Sequence, residues 1–234
     1  MKLLAIDTSS DACSAALMLE GRMISRFQIA PRRHADILLP MLDDVLDEAG
    51  IQLTQLDALA VGCGPGAFTG LRIAAGVIQG LAFAADLPVA RISTLTALAQ
   101  RGRREFGSDK VLCGFDARLG EVYWSACVLT DEEVMVPTGD ECVCRPDEVP
   151  QPDGGGWLGL GSAWQSYQTP LVKRLNLYCH HWHGDCYPQA EDIAVLGAHA
   201  HRNGQSVSAE QALPVYLRNT VVDKPSSAGG RMDP

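Results

Sequence analysis

The chain has 234 residues, 47% hydrophobic and 20% charged, which is ordinary globular composition and excludes a disordered protein. It carries 19 basic and 28 acidic residues, and nearly all of the net charge of −9 falls after residue 103. A chain that grips nucleic acid unaided shows a basic face, so any nucleic acid is expected to be held mainly by something else.

Lys2 to Ile6 reads as a buried strand, followed by the polar turn Thr8-Ser9-Ser10-Asp11 and a second strand, Cys13 to Leu19. A single basic residue and an aspartate at position 7 leave no signal-peptide pattern. Glu20-Gly21 turns the chain into a third strand, Arg22 to Ile29. From Pro31, Ile37, Leu38, Met41, Leu42, Val45, Leu46 and Ala49 fall on a 3.6-residue stripe, a helix stopped by Gly50. Leu56 to Gly62 is an apolar strand, Gly64-Pro65-Gly66 a forced turn, and Thr69 to Ala85 a helix. Leu87 to Ile92 is a further strand, and Ser93 is placed to cap a helix over Thr94 to Glu105. The order is βββαβαβα.

The second half opens on the same pattern. Placing Asp116 on Asp7 aligns Lys2–Asp7 with Val111–Asp116 and Cys13–Leu19 with Val122–Val128. A duplicated unit with an aspartate ending each first strand predicts an α/β protein of the actin-like ATPase (ASKHA, ribonuclease H-like) fold, its second copy degenerate. The expected subdomains are 1–105 and 106–219, with a disordered tail over 220–234. Pro146 to Gly156 reads as a loop, Trp157 to Leu160 as a strand, and Ala163 to Leu175 and Ala190 to Arg202 as helices. Leu213 to Leu217 reads as a last strand.

Asp7, Thr8 and Ser9 form a turn able to face an anion, a vestigial phosphate site. Asp116-Ala117-Arg118-Leu119 offers no matching hydroxyls, which makes half of a nucleotide clamp. Glycines flanking Pro65 permit positive φ and close approach, but the block lacks a Walker lysine. Asp7, Asp116 and Glu121 are candidates for paired carboxylates in a cleft. His34 has Leu38 four residues on, so no H-x-x-x-H metal pair forms, and a capping or surface role is expected. Cys179-His180-His181-Trp182-His183-Gly184-Asp185-Cys186 is dense in ligand types but lacks a second paired knuckle, and no metal site is assigned. The eight cysteines are expected to be reduced thiols of a cytoplasmic protein.

The run from Ile73 to Ala85 is uncharged on every side, with Gly76 and Gly80 one turn apart. The longer, nearly apolar stretch from Phe68 to Ala85 is too short, and carries Arg72, so it is not expected to span a bilayer. Its outer face calls for another chain. The expected interface comprises Leu38, Met41, Leu42 and Val45 of the first helix with Arg72, Ile73, Gly76, Val77, Gly80 and Ala84 of the other.

Leu4-Ala5-Ile6-Asp7-Thr8-Ser9, His34 with Leu38-Leu39-Pro40, the block Gly64 to Ile73, Asp116-Ala117-Arg118 with Gly120 to Trp124, and Leu213 to Arg218 together resemble the bacterial TsaB (YeaZ) family. The resemblance implies a non-catalytic subunit in the synthesis of N6-threonylcarbamoyladenosine on tRNA. It would support the transferase TsaD together with the ATPase TsaE, pair with itself when alone, and meet tRNA only through the complex. It implies no cofactor of its own, ATP or ADP belonging to the complex. The alternatives are a stand-alone ATPase or small-molecule kinase of the same fold, disfavoured by the degenerate second turn, and a metalloprotease, disfavoured by the missing metal pair.

Overall fold

A computed structural model describes residues 1–218; the tail expected over 220–234 lies outside the described residues. Strands β1 (Lys2–Asp7), β2 (Ala12–Leu19) and β3 (Arg22–Ile29) form an antiparallel meander. After helix α1 (His34–Ala49), β4 (Ala58–Gly64) returns parallel to β1, and α2 (Phe68–Ala85) leads to β5 (Val89–Ser93), parallel to β4. The sheet order is β3-β2-β1-β4-β5. Helix α3 (Thr94–Phe106) follows at once, capped as expected by the Ser93 hydroxyl, which accepts from the Thr96 amide.

The second half repeats this order. β6 (Lys110–Arg118), β7 (Glu121–Leu129), β8 (Met135–Pro137), β9 (Cys142–Cys144), β10 (Trp157–Leu160) and β11 (Cys179–His183) make a sheet ordered β11-β10-β6-β7-β8, with β9 also on β7. β10 runs parallel to both β6 and β11, as β4 does to β1 and β5. The counterpart of α1 is missing, because Pro146, Pro150, Pro152 and Gly154 to Gly156 occupy that stretch. The single helix expected over 163–175 is two, α4 (Ser162–Ser166) and α5 (Gln168–Leu175), before α6 (Ala190–Arg202). The duplication and the actin-like, ribonuclease H-like α/β fold are thus realised, with the second copy a helix short.

Each half lends its last helix to the other. β1 is buried on both faces: Leu4 and Ile6 join the cluster under α1 and α2, and Leu3 and Ala5 the one under α6. On the α6 side the sheet offers Ala5, Ala16, Ala58, Ala60 and Ala90, and a Cβ on Gly197 would lie 2.6 Å from that of Ala60. That small-residue floor draws α6 close. Leu95, Leu98 and Ala99 of α3 pack instead with Val111, Cys113 and Leu160 of the second sheet. Arg104 at the end of α3 holds Asp192 in α6 through two 2.8 Å bonds and also reaches Gln189 and Glu191. Burial pushes the Asp192 carboxyl up to about 6 and the guanidinium fork opposes it, so the pair is ionic at neutral pH.

Leu38, Met41, Leu42 and Val45 are at most 8% exposed and sit in the first core. This corrects their assignment to a partner interface: the stripe that defined the helix is consumed by its own sheet. Helix α2 has the length and hydropathy of a membrane span, but Leu71, Ala74, Ala75, Ile78 and Ala82 are buried within the domain.

Candidate functional site

Asp7 ends β1 at a turn where Oδ2 accepts from the Ser9 amide (3.2 Å) and the Ser9 hydroxyl (3.0 Å). Its Oδ1 has no hydrogen-bond partner and faces Gly62, where a Cβ would come within 2.2 Å of that oxygen. Burial therefore raises the Asp7 carboxyl to about 7, against the lowering effect of Ser9. The adjoining Cys13 thiol is pushed up to about 12 by burial and by Asp7, which keeps it protonated.

The glycine-rich loop closes over this turn. Ala67 donates its amide to the Ser9 carbonyl (2.7 Å), the Thr8 hydroxyl donates to the Gly70 carbonyl (2.7 Å), and the Thr94 hydroxyl donates to the Pro65 carbonyl. A Cβ on Gly66 would lie 2.4 Å from the Ser9 carbonyl oxygen, and one on Gly70 1.9 Å from that of Thr8. Gly64 alone of these takes a positive φ, +117°. Close backbone approach is thus what requires Gly66 and Gly70. Asp7, Thr8 and Ser9 are 0, 0 and 3% exposed, so the turn is covered by the chain's own glycine loop.

The second turn takes another course. β6 continues past Asp116 to Arg118, and Arg118, Leu119 and Gly120 take positive φ in a tight reversal into β7. Asp116 Oδ1 accepts from the Arg118 amide (2.8 Å) and the Tyr167 hydroxyl (3.2 Å), while Glu121 pairs with Arg218. The three candidate carboxylates Asp7, Asp116 and Glu121 share no partner, so no acid–base pair is assembled from them.

Leu213 to Leu217, expected as a strand, is an extended strap held by one backbone bond from the Val215 amide to the Cys63 carbonyl (2.7 Å). Pro214 cannot donate to a ladder, which is why pairing stops there. Tyr216 packs on Phe68 with ring centroids 5.5 Å apart, the Arg72 guanidinium lies 3.8 Å from the Phe68 ring centre, and Arg72 Nε donates to the Tyr216 hydroxyl (3.4 Å). Arg218 then reaches the second lobe at Glu121. Phe68 and Tyr216 were not expected at the site: the blocks Gly64 to Ile73 and Leu213 to Arg218 contain them, but nothing local signals that the two rings meet.

The outer face of α2 remains open. Arg72, Gly76, Gly80 and Ala84 are exposed and Ile73 and Val77 half-buried, and Cβ atoms on Gly76 or Gly80 would meet nothing within 4 Å. Phe83, missed in the sequence, stands on this face 79% exposed. Among exposed positions of α1, Leu39 rather than the core stripe offers apolar surface.

His34 opens α1 but is buried, with Nε2 unpartnered and Leu38 turned into the core; it is neither a cap nor a surface residue. In β11, Cys179 is buried while His180, His181 and His183 are exposed, and Cys179 and Cys186 enter different core clusters. His183 stacks on Phe106 at 4.4 Å. Among the described residues no group of three histidine, cysteine or acidic side chains converges on a metal position. All eight cysteines are free thiols.

A family model described as "TsaD: tRNA N6-adenosine threonylcarbamoyltransferase" matches residues 27–157. The tRNA threonylcarbamoyladenosine biosynthesis protein TsaB of Escherichia coli is 40% identical over 228 residues, covering 96% of this chain and 97% of its own. The protein of the same name from Haemophilus influenzae is 38% identical over 234 residues, covering 96% of each chain. The solved structure of YeaZ from Pseudomonas aeruginosa superposes with a TM-score of 0.86 at 47% identity, covering 92% of this chain and 99% of that one.

Proposed function

The chain belongs to the TsaB (YeaZ) family, and from that premise we propose that it is a non-catalytic subunit for threonylcarbamoyladenosine synthesis on tRNA. In this reading it binds and supports the transferase TsaD, with the ATPase TsaE, and pairs with itself when the partner is absent. The observation that carries the non-catalytic part is the filled phosphate turn. With Ser9 and Thr8 carbonyls pressed against Gly66 and Gly70, a phosphate has no place beside Asp7, and the second turn supplies no counterpart. The reading as a self-sufficient ATPase or kinase loses support for the same reason.

The partner surface in this proposal is the open face of α2, centred on Ile73, Gly76, Val77, Gly80, Phe83 and Ala84. Burying an exposed phenylalanine supplies roughly 2 to 3 kcal/mol of hydrophobic driving force. Two glycines one turn apart let a second helix approach closely, and self-pairing and partner binding compete for one surface.

The test is Gly80→Arg. The space above Gly80 is empty in the free chain, so the variant folds, and its charge is buried unpaired in either complex. Co-purification with TsaD should fail, and mass spectrometry of tRNA nucleosides should show loss of the modification in cells that depend on the variant. A folded Gly80→Arg protein that binds the partner and sustains normal modification refutes the interface. ATP turnover by the pure chain, abolished by Asp7→Ala, refutes the non-catalytic role.

A further inference from the structure

The second half of the chain carries 18 acidic and 10 basic residues, yet four of those basic residues gather around one opening. The opening, a cavity of about 660 Å³, lies between the β6–β7 turn at Gly120, the segment after β9, and α5. Arg145, Lys173 and Arg174 line it, with Tyr167 in its wall and Asp147 its one acidic lining residue. Arg118, 86% exposed, stands two residues before Gly120, beside the Asp116 carboxylate whose other oxygen accepts from the Tyr167 hydroxyl (3.2 Å).

These cations are only partly committed within the chain. Arg118 lies 3.6 Å from Asp116, and Arg145, 66% exposed, pairs with Asp147 at 3.2 Å. Arg174 uses Nε on the Val149 carbonyl (3.1 Å), and Lys173 makes no ion pair among the described residues. A surface with this excess of acid would disperse or pair its few cations if solubility were the only demand. Their concentration on one concavity attracts an anion. Arg118, Arg145 and Lys173 are exposed at the rim of the opening and Arg174 is half-buried, whereas a small-molecule site encloses its ligand and fixes it with a few converging polar groups. A repeated anion, met at several points, suits such a rim.

We propose that this opening is a contact for the sugar-phosphate backbone of RNA, through which tRNA rests on the second lobe. The inference builds on the proposed role in tRNA modification and adds the place where this subunit touches the substrate. It also separates two duties by lobe: α2 on the first takes the protein partner and the Gly120–Arg174 opening on the second takes the nucleic acid. The contact is weak in the isolated chain, because the −8 charge of the same half opposes it.

An unmodified tRNA transcript titrated with the full chain, read by fluorescence anisotropy from 25 to 200 mM KCl, tests this. Arg145→Glu/Lys173→Glu should bind at least ~10-fold more weakly than wild type at low salt. It should also flatten the log K against log salt slope by about one for each cation removed. Lys173→Arg, which keeps the charge, should behave as wild type. Unchanged affinity and slope in the double variant overturn the proposal. Displacement of the transcript by millimolar ATP or inorganic phosphate without an equal effect of added KCl overturns it too, and assigns the opening to a small ligand. Gly80→Arg leaves this titration untouched while removing partner binding, so failure of the RNA contact and failure of the accessory role are read separately.

Discussion

Asp7→Asn tests whether the buried carboxyl at the end of β1 is held neutral. The Asp7 carboxyl is raised from 3.8 to about 7, because burial disfavours the charge and the hydrogen bonds from Ser9 to Oδ2 only partly offset it. The folded state therefore holds a proton that the unfolded state releases between pH 4 and 7. Stability from this group is fully present below pH 3.8 and is lost as pH rises through about 7. At about 1.4 kcal/mol for each pH unit between the two values, the loss amounts to about 4 kcal/mol. The asparagine variant has no such dependence. Its amide still lacks a partner beside Gly62, a cost of about 1 to 3 kcal/mol that pH does not change. Urea unfolding at pH 5, 6, 7, 8 and 9 should show wild type losing stability relative to Asp7→Asn up to about pH 7, after which the difference levels off. A difference between the two proteins that stays constant from pH 5 to 9 refutes the reasoning, for it would mean that Asp7 is already ionised and compensated in the fold.

Gly70→Ala forces a Cβ to within 1.9 Å of the Thr8 carbonyl oxygen and should cost about 3 kcal/mol or more, whereas Gly76→Ala meets open space and should stabilise the isolated chain by about 1 kcal/mol; thermal melts of both check the contrast. Gly76→Ala should at the same time weaken partner binding, since it thickens the face on which a second helix is expected to sit. Arg104→Ala strands the carboxylate of Asp192, 1% exposed, and should cost about 3 kcal/mol, at the lower end for a buried pair because the guanidinium side chain is 34% exposed; chemical denaturation at pH 7 reads it. That loss should shrink toward pH 5, where Asp192 takes up its proton.

The element order of the first half could be read from periodicity because each strand and helix there carries its own local signature, whereas in the second half the short strands β8, β9 and β11 carry too few residues for a pattern and escape the reading. β1 is a continuous apolar run since it lies between β2 and β4 with both faces covered, and the Ser93 cap is a local chemical device. What could not be read is which element covers which. Leu38, Met41, Leu42 and Val45 make the same stripe whether they face the helix's own sheet or a partner, and the sheet takes them. The exchange of α3 and α6 between the halves depends on the alanine floor of the first sheet, a complementarity spread over residues from Ala5 to Gly197. Leu213 to Leu217 reads as a strand by pattern, though the proline at its second position leaves a single bond to β4, from Val215.

The glycine block shows where a sequence signal and its meaning come apart. Gly64, Gly66 and Gly70 are legible as a demand for room, and a phosphate is one thing that fills such room. Here Ser9 and Thr8 of the same chain fill it, each within 2.5 Å of where a Cβ would stand on Gly66 or Gly70. The aspartate turn and the glycine loop are thus two halves of one internal contact, which fixes the start of α2 against the end of β1. Fixing that start also fixes the outer face of α2, from Ile73 to Ala84, relative to the rigid sheet beneath it. A helix face offered to a partner gains affinity when it is held in place before binding, because less ordering remains to be done. The turn from Asp7 to Ser9 therefore has a use that needs no phosphate, as the anchor of the proposed docking helix.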